Sequence, residues 1–499
     1  MQKKKILLVG EATYMSSGYG NYGYQIMKRL YNTNNFELAE ISCHGKVSRS
    51  NEIPWRSYVV PEESNPFGED ILEDVLIDFK PDVVWSFRDP WVDEFIGDCV
   101  LKNHFKWVYM PTVDSLPLDI DWIDTINRAD YILTYTDWAS NELKKLCPKM
   151  NICGSASPGF DTIFRPVEDK IEFKKKHGIN EEALIIGSVM RNQKRKLIPD
   201  LFDAFSEFLD KAPKELSERT FLYLHTTYPD VGWNIPRLLA ERSKISNKVL
   251  FSYNCNICFN ISISSFCGGI IQCNHCKQIS CSFPRVSKGS KREDMATVYN
   301  LMDLYVQYAC AEGFGMPLVE AASCGVPVCA VNYSAMQDIV EKLEGFPIQV
   351  QRYTYEVETN RKFALPDNSS FVDICINFLS KPYILRKIIS KKTRELVNKN
   401  YNYEKTFEKL NGIFEEIPIS KTWNQPEKQI QIPQEFQEEI NNVQFLDQIF
   451  RNIPIDFGNI KQKLLFKLNY RIQTREQIFS ELNSIFNKYN KYEKLRTKK

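Results

Sequence analysis

The chain has 499 residues, of which 43% are hydrophobic and 25% charged, and its formal net charge is +1. This length predicts about two to four domains with substantial cores. The near-neutral charge excludes a polycation that binds nucleic acid along its whole length, and we expect no nucleic-acid partner. No apolar run approaches the roughly 18 residues of a membrane-spanning helix.

The first stretch, "MQKKKILLVG", is a basic run followed by a short apolar run that ends at the charged residue Glu11. A signal peptide needs a longer apolar segment, so this pattern favours a buried first β-strand and a cytoplasmic protein. The next segment, "SSGYGNYGYQIMKRL", is a glycine-rich loop that opens a helix and contains Gly18 and Gly20.

Strand-like and helix-like patterns alternate from residue 5 to about residue 389, which predicts an α/β fold with parallel sheets. The strand-like runs are "KKKILLVG", "DVVWSF", "KWVYM", "YILTYT", "ALIIGSV", "FLYLHT", "LYVQYA" and "VPVCAV". A break rich in proline and glycine covers 157–169. We therefore predict a Rossmann-like domain over 1–156 and a second one over 157–400.

Six of the fourteen cysteines lie between Cys255 and Cys281, in a polar insert over 251–292. Two Cys-x-x-Cys pairs stand fourteen residues apart: Cys255 with Cys258, and Cys273 with Cys276. This spacing predicts a structural Zn²⁺ site in which four thiolates fill the coordination sphere. Replacement of one ligand by a spare residue is the alternative. The spare residues are Cys267, His275 and Cys281.

Residues 401–499 predict a helical return segment and a helical C-terminal extension. Residues 461–499 contain eleven Lys or Arg and three Glu, a net charge of +8, with apolar residues at helical spacing. Such a helix can lie on an anionic membrane surface, which would place the protein at the membrane periphery. Packing of the apolar stripe on the protein body is the alternative, and we favour it.

The string "AEGFGMPLVEAASCGVPV", residues 311–328, predicts a tight turn, a helix and a strand. Gly313 and Gly315 allow close backbone approach, and the amides at the helix start suit a phosphate. Glu312 precedes the turn, and Glu320 lies about one helical turn inside the helix. Two carboxylates that accept hydrogen bonds suit the hydroxyl groups of a sugar or ribose.

This string resembles the donor-binding motif of retaining GT-B glycosyltransferases of the glycogen synthase and mannosyltransferase type, glycosyl transferases group 1. The resemblance implies two Rossmann-like domains facing a cleft. It implies that Glu312 contacts the transferred sugar and that Glu320 binds the nucleotide ribose. The loop backbone would hold the donor phosphate and sugar. That backbone comprises Gly313, Phe314, Gly315 and Met316.

Other segments fit the same resemblance. "RNQKRK" follows a strand, and the family's basic pair falls on Arg191 and Lys196, which would neutralise the leaving diphosphate without a catalytic metal. The Gly18–Gly20 loop would face the donor. Many relatives place a histidine near Asp114 to contact the transferred sugar, so aspartate there leaves the donor sugar undetermined. His225 ends a strand, and two interpretations fit this position. It is either a histidine of the cleft wall whose hydrogen bonds are satisfied within the protein, or a contact to the donor.

The sequence therefore predicts an enzyme that transfers a sugar from a nucleotide-diphosphate sugar to a glycan, lipid or protein, with retention of configuration. Three alternatives remain open. One is another enzyme on the same fold, such as an epimerase or a phosphorylase. Another is a catalytically silent protein that binds a nucleotide sugar or glycan, and the third is an interaction protein that acts through the zinc insert.

Overall fold

The computed structural model of the protein describes residues 2–15, 17–285, 290–425, 441–451, 461, 464–465, 467–468 and 474–498. No helix in these residues is long and apolar enough to span a membrane.

The N-terminal domain contains a parallel sheet of seven strands in the order β3-β2-β1-β4-β5-β6-β7. Its strands are β1 (Lys4–Glu11), β2 (Phe36–Cys43), β3 (Arg56–Val59), β4 (Val83–Ser86), β5 (Lys106–Tyr109), β6 (Tyr131–Thr134) and β7 (Ile152–Ser155). Its helices are α1 (Gly18–Thr33), α2 (Leu72–Phe79), α3 (Pro90–Gly97), α4 (Ile120–Asn127) and α5 (Asp137–Leu146).

The second domain repeats this plan with parallel strands in the order β10-β9-β8-β14-β15-β16. Those strands are β8 (Leu184–Val189), β9 (Thr220–His225), β10 (Val249–Cys255), β14 (Leu304–Gln307), β15 (Val328–Val331) and β16 (Phe346–Ile348). The helices are α6 (Lys170–Lys176), α7 (Ile198–Lys211), α8 (Lys214–Arg219), α9 (Ile235–Glu241), α10 (Arg292–Asn300), α11 (Met316–Ser323), α12 (Ser334–Lys342), α13 (Asn368–Leu379) and α14 (Tyr383–Asn400).

Both sheets therefore share the order 3-2-1-4-5-6 of a doubly wound fold. In such sheets ligands bind outside the carboxyl ends of the strands, where the strand order reverses. These reversal points lie between β1 and β4 in the first domain and between β8 and β14 in the second. The glycine-rich loop and the loop of Glu312 leave the sheets at these points.

Two additions extend the second domain. The cysteine insert contributes β11 (Ile261–Ser265), β12 (Ile271–Gln272) and β13 (Ile279–Ser282), which add antiparallel pairing around β10 at the sheet edge. A separate hairpin, β17 (Val350–Tyr355) and β18 (Lys362–Pro366), follows β16. The insert shares the core of its domain, since Cys255, Cys273 and Phe283 are buried in that core.

The C-terminal extension returns the chain to the first domain. Helix α15 (Tyr403–Glu416) packs on α1, and α16 (Asn442–Phe450) and α17 (Arg475–Lys498) add to the N-terminal core. The predicted apolar stripe of α17 is buried there. The buried side chains are Ile478, Leu482, Phe486 and Tyr489. This placement favours packing on the body over membrane contact by the stripe.

A buried polar network anchors the end of α17. Glu493 accepts a hydrogen bond at 2.8 Å from His104 and pairs with Arg496 at 2.7 Å. Arg496 also donates to the carbonyl oxygens of Thr422 and Trp423. Because Glu493 and Arg496 are almost fully buried, each charge depends on its partners.

We predict that Leu482→Ala lowers the free energy of unfolding by about 2–5 kcal/mol, because the residue is fully buried and truncation leaves a cavity. Urea unfolding measures the change. Ser484→Ala is the control, since Ser484 is exposed on the same helix and should change stability by less than about 0.5 kcal/mol. Equal effects of the two substitutions would show that α17 does not pack as described.

Candidate active site

Glu312 lies in the loop after β14 and is 6% exposed. Arg195 Nη1 donates to its Oε2 at 2.9 Å, and the Lys196 ammonium pairs with its Oε1. Gln307 Nε2 donates to the same Oε1 at 2.6 Å. A buried carboxylate is costly unless it is paired and hydrogen-bonded, and two cations and an amide meet that requirement here.

Backbone hydrogen bonds hold the two loops of this site together. Leu197 N donates to Tyr308 O at 3.2 Å, and Cys310 N donates to Arg195 O at 3.0 Å. Burial, together with the neighbouring Arg195 cation, lowers the pKa of Lys196. The charged ammonium therefore depends on the Glu312 carboxylate, and the two residues form one electrostatic unit.

Arg191, the other predicted cation, points elsewhere. The Arg191 side chain is 45% exposed. Its Nε and Nη2 donate to the Asp230 carboxylate at 3.0 and 3.2 Å. In this conformation Arg191 faces Asp230, and Arg195 pairs with Glu312 beside Lys196 instead. Sequence analysis missed Arg195 because "RNQKRK" contains several cations and spacing alone did not show which of them face Glu312.

The glycine turn begins helix α11. Gly315 is the N-cap residue with φ +99°, a left-handed conformation that glycine adopts without steric cost. The Phe314 ring is buried and packs 5.9 Å from the Tyr401 ring, so only the backbone of Phe314 remains for a ligand. Glu312 N donates to Ser334 Oγ at 3.1 Å, which fixes the loop from the far side.

Glu320 lies inside α11, and one of its oxygens accepts a hydrogen bond from the Tyr299 hydroxyl at 2.7 Å. Burial raises the pKa of Glu320 above its usual value, and this hydrogen bond opposes the rise. A carboxylate has more acceptor positions than one hydroxyl can use. Glu320 therefore keeps acceptor capacity for a ligand hydroxyl.

The glycine-rich loop faces this site from the first domain. Ser17 Oγ accepts a hydrogen bond from Gly20 N at 3.0 Å and caps α1. A Cβ at Gly20 would lie 2.8 Å from Met15 O, so the loop needs glycine there for close packing. A Cβ at Gly18 would meet no atom within 4 Å, which leaves open space beside that residue. The Tyr19 hydroxyl lies 2.9 Å from Thr112 Oγ1.

Asp114 contacts the second domain directly. Its Oδ1 accepts hydrogen bonds from Arg361 Nη1 at 2.7 Å and from Ser115 Oγ at 2.8 Å. Arg361 belongs to the β17–β18 hairpin and lies over the Trp122 ring at 4.5 Å. Lys362 N also donates to Leu116 O at 2.8 Å, so the hairpin spans the cleft. No sequence signal marked Arg361, because its partner is 247 positions away.

His225 ends β9, and its Nδ1 lies 2.9 Å from Ser252 Oγ. Burial lowers the pKa of His225 to about 4, so the ring is neutral at pH 7. These contacts fit a histidine in the cleft wall whose hydrogen bonds are satisfied, and a contact of His225 with the donor stays a prediction.

The four cysteine sulfurs of the insert form one cluster. Cys255 Sγ lies 3.7 Å from Cys276 Sγ, Cys258 Sγ lies 3.5 Å from Cys273 Sγ, and all four sulfurs lie within 4.8 Å of one another. A tetrahedral zinc with Zn–S bonds of about 2.3 Å places its sulfurs about 3.8 Å apart. Among the described residues, the cluster is compatible with structural zinc.

The two Cys-x-x-Cys turns have the same backbone pattern. Cys255 N donates to Asn260 O, and Cys273 N donates to Gln278 O, five residues ahead in each case. Backbone amides donate to Cys255 Sγ and Cys273 Sγ at 3.3–3.4 Å, which favours thiolates. Two of the spare residues have other partners: the His275 ring contacts Ile261 O, and Cys281 Sγ contacts Ser262 Oγ.

Comparison with known proteins identifies the fold. Residues 285–359 match the model of the family "Glycosyl transferases group 1". Among solved structures, sucrose-phosphate synthase from Thermosynechococcus elongatus is 14% identical with a TM-score of 0.59, and the likeness covers 83% of this chain and 98% of that one.

HepE from Anabaena, solved in complex with UDP-glucose, is 13% identical with a TM-score of 0.57, covering 82% of this chain and 99% of that one. WaaG, a glycosyltransferase involved in lipopolysaccharide biosynthesis, is 14% identical with a TM-score of 0.54, and the likeness covers 82% of this chain and 99% of that one.

The chain has a GT-B fold. Together with the family match, which includes Glu312 and Glu320, this fold supports a GT-B glycosyltransferase. No curated protein sequence matches the chain significantly.

The two domains touch where Gly313 meets Thr112. A Cβ at Gly313 would lie 2.4 Å from Thr112 Cγ2. We therefore predict that Gly313→Ala destabilises the closed arrangement by about 1–3 kcal/mol. Thermal unfolding measures the loss.

The matched control is the double variant Gly313→Ala/Thr112→Ser. It removes the Thr112 methyl and keeps the hydroxyl that contacts Tyr19. The double variant should recover most of the lost stability relative to Thr112→Ser alone. A double variant that remains as unstable as Gly313→Ala would mean that the domains do not meet at this point.

Proposed function

We propose that this protein is a retaining glycosyltransferase that moves a sugar from a nucleotide-diphosphate sugar to a glycan, lipid or protein acceptor. The observation that carries the proposal is the pairing of the buried residues Glu312 and Lys196 with the partly exposed Arg195 at the start of α11. It brings a carboxylate, two cations and the start of a helix to the carboxyl edge of a doubly wound sheet. Retention rests on the resemblance of the motif to retaining enzymes.

In this proposal each part of the site has a role in breaking the bond between the sugar and the diphosphate. The amides at the start of α11 bind the donor phosphates, where the helix dipole also favours negative charge. Lys196 and Arg195 stabilise the negative charge that develops on the leaving diphosphate. Glu312 accepts hydrogen bonds from the transferred sugar, and Glu320 accepts them from the ribose.

The first domain completes the cleft. The open space beside Gly18 gives room for the donor phosphates, and the Tyr19 and Thr112 hydroxyls border the same region. Asp114 is hydrogen-bonded to Arg361. It can therefore contribute to sugar recognition only by sharing this hydrogen bond or by leaving Arg361. Because HepE, which shares the fold, was solved with UDP-glucose, UDP-sugars are the first donors to test.

The test is a donor screen with UDP-, GDP-, ADP- and dTDP-sugars, read as thermal stabilisation and as slow hydrolysis of the donor. We expect one donor class to stabilise and to be hydrolysed. Glu312→Gln should reduce hydrolysis by about 100-fold or more, since it removes the charge that holds Lys196 and Arg195. Glu341→Gln, on the exposed face of α12, is the control.

Arg191→Ala and Arg195→Ala in the same assay separate the two candidate cations. A larger loss for Arg195→Ala would assign the diphosphate contact to the residue beside Glu312. A larger loss for Arg191→Ala would mean that Arg191 leaves Asp230 when the donor binds. If no nucleotide sugar stabilises the protein at millimolar concentration, the transferase proposal fails.

We propose that the cysteine cluster holds one structural zinc ion. The support is the four-thiol donor set, the sulfur spacing near a tetrahedral edge, and the repeated turn geometry. Four thiolates leave no position for water, so the ion would hold the insert in place and take no part in transfer.

We expect about one zinc per chain by elemental analysis, lost in Cys258→Ser and in Cys276→Ser, with a lower midpoint of thermal unfolding. Cys281→Ser is the matched control, because Cys281 lies in the same insert but outside the cluster. Equal zinc loss in all three variants, or no zinc in the wild-type protein, would contradict the assignment.

A further inference from the structure

Two loops of the second domain pack closely against each other beside the candidate active site. The cation loop, residues 190–197, joins β8 to α7, and the β9–α9 loop, residues 226–234, joins β9 to α9. Asn192 of the cation loop is fully buried. Its Nδ2 donates to Trp233 O at 2.9 Å, and its Oδ1 accepts from Trp233 N at 2.8 Å. A Cβ at Gly232 would lie 2.4 Å from Asn192 Oδ1, so the two loops have no room for a side chain there.

A further hydrogen bond connects the β9–α9 loop to one of the two cations that pair with Glu312. Trp233 Nε1 donates to Lys196 O at 2.9 Å. This bond fixes the backbone from which the Lys196 side chain extends to Glu312. On its other side the cation loop is held by the bond from Cys310 N to Arg195 O. The position of the cations therefore depends on the β9–α9 loop as well as on the loop of Glu312.

The cysteine insert contacts the β9–α9 loop through Tyr228. The Tyr228 ring lies 5.7 Å from the Phe266 ring and 5.8 Å from the Phe283 ring, with interplanar angles of 76° and 65°. These are edge-to-face contacts, which aromatic pairs favour. Tyr228 N also donates to Pro284 O at 3.3 Å. Phe266 directly follows β11 and Phe283 directly follows β13, so two strands of the insert support this one tyrosine.

The cysteine cluster joins the strands that present these rings. One cysteine ends β10, one precedes β11, and two lie between β12 and β13; they are Cys255, Cys258, Cys273 and Cys276. The Phe266 and Phe283 rings also contact each other at 5.5 Å. A zinc ion that draws the four sulfurs together would therefore fix the positions of both rings.

We propose that the cysteine insert positions the cations of the donor site through the β9–α9 loop. Tyr228 and Phe266 form the contact between the insert and this loop, and Trp233 holds the backbone of Lys196. We assign positioning roles to these residues, because they act on the donor through Lys196. The inference rests on the proposed function, since it concerns the cations that stabilise the leaving diphosphate. The zinc ion would act only through the position of the insert.

The expected kinetic effect follows from the step in which the cations act. Lys196 and Arg195 stabilise charge that develops in the transition state, whereas the helix amides and Glu320 bind the donor before it reacts. A catalytic group misplaced by about 1 Å can cost up to about 100-fold in rate. Loss of support for the cation loop should therefore lower kcat and leave KM nearly unchanged.

The experiment measures donor hydrolysis by the full-length, zinc-replete protein, with UDP-glucose as the first probe. Tyr228→Ala and Phe266→Ala should each lower kcat by about tenfold while KM changes by less than about twofold. Tyr228→Phe retains the ring and should restore kcat to within about twofold of the wild-type value. The Tyr228→Ala/Phe266→Ala double variant should lose no more than either single variant, because both substitutions remove the same contact.

Two further measurements separate the link from the metal. Elemental analysis should find one zinc ion per chain in every variant, which separates a lost contact from a lost ion. Trp233→Phe retains an aromatic ring but removes the N–H group that donates to Lys196 O. It should lower kcat in the same way, with KM again nearly unchanged.

Hydrogen exchange of the backbone amides tests the same link without any donor. Peptides that cover 190–197 and 226–234 should exchange faster in Phe266→Ala than in the wild-type protein, because the loops lose support. Phe259→Ala is the matched control. Phe259 belongs to the same insert, is 48% exposed and lies under Lys291, so this variant should match the wild-type protein in exchange and in kcat.

The outcomes distinguish this inference from the proposed function. An active wild-type protein with unchanged kcat in Tyr228→Ala and Phe266→Ala would overturn the inference alone. Equal losses in Phe259→Ala would also overturn it, because the effect would then come from the folding of the insert as a whole. Absence of hydrolysis with every donor would contradict the proposed function. The exchange of 190–197 would still decide whether the insert holds the cation loop, and unchanged exchange in Phe266→Ala would show that it does not.

Discussion

The pairing of Glu312 with Lys196 and Arg195 is the interaction on which the candidate site depends. Two loops that leave neighbouring strands, β8 and β14, would otherwise bury charges of opposite sign without compensation. The pair joins these loops, and the backbone bonds between Arg195 and Cys310 and between Leu197 and Tyr308 continue the junction. The start of α11 is thereby fixed in the direction of the first domain. Removal of the Glu312 carboxylate would leave the buried Lys196 ammonium without the anion that it pairs with.

The cleft is closed by contacts from three parts of the second domain. The glycine turn approaches Thr112 so closely that a side chain at Gly313 has no room. The β17–β18 hairpin reaches the loop after β5 through Arg361 and Lys362. Lys342 of α12 pairs with Asp137 of α5 at 2.7 Å. These contacts hold the two carboxyl edges face to face, which a site built from both domains requires.

The insert and the extension are each attached to a larger domain, but by different interactions. Each adds a segment too small to form an independent core, and each joins the core of a larger domain. The insert uses β pairing to β10 and a cluster of four thiols. The extension uses an apolar stripe and the buried network of Glu493, Arg496 and His104. In the extension, basic residues such as Lys491 and Lys494 stay exposed, whereas Arg496 and the apolar stripe are buried.

Local patterns in the sequence determined the elements and part of the chemistry. Strand–helix alternation predicted two parallel sheets. Each strand shows as an apolar run with turn residues at its ends, and this pattern involves only residues that are close in sequence. The cap of α4 is equally local, since the Asp119 side chain accepts a hydrogen bond from Asp121 N at the start of that helix. The cysteine spacing predicted the cluster for the same reason, since each Cys-x-x-Cys turn is a local structure.

Tertiary structure alone decided which distant groups meet. Arg195 rather than Arg191 faces Glu312, because the loop after β8 turns that side chain toward β14. Asp114 pairs with Arg361, which lies 247 positions away. The apolar stripe of α17 is buried whereas the first turns of α14 are exposed, although both sequences are basic and amphipathic. Periodicity shows that a helix has an apolar face, but the packing of the whole chain decides whether that face is covered.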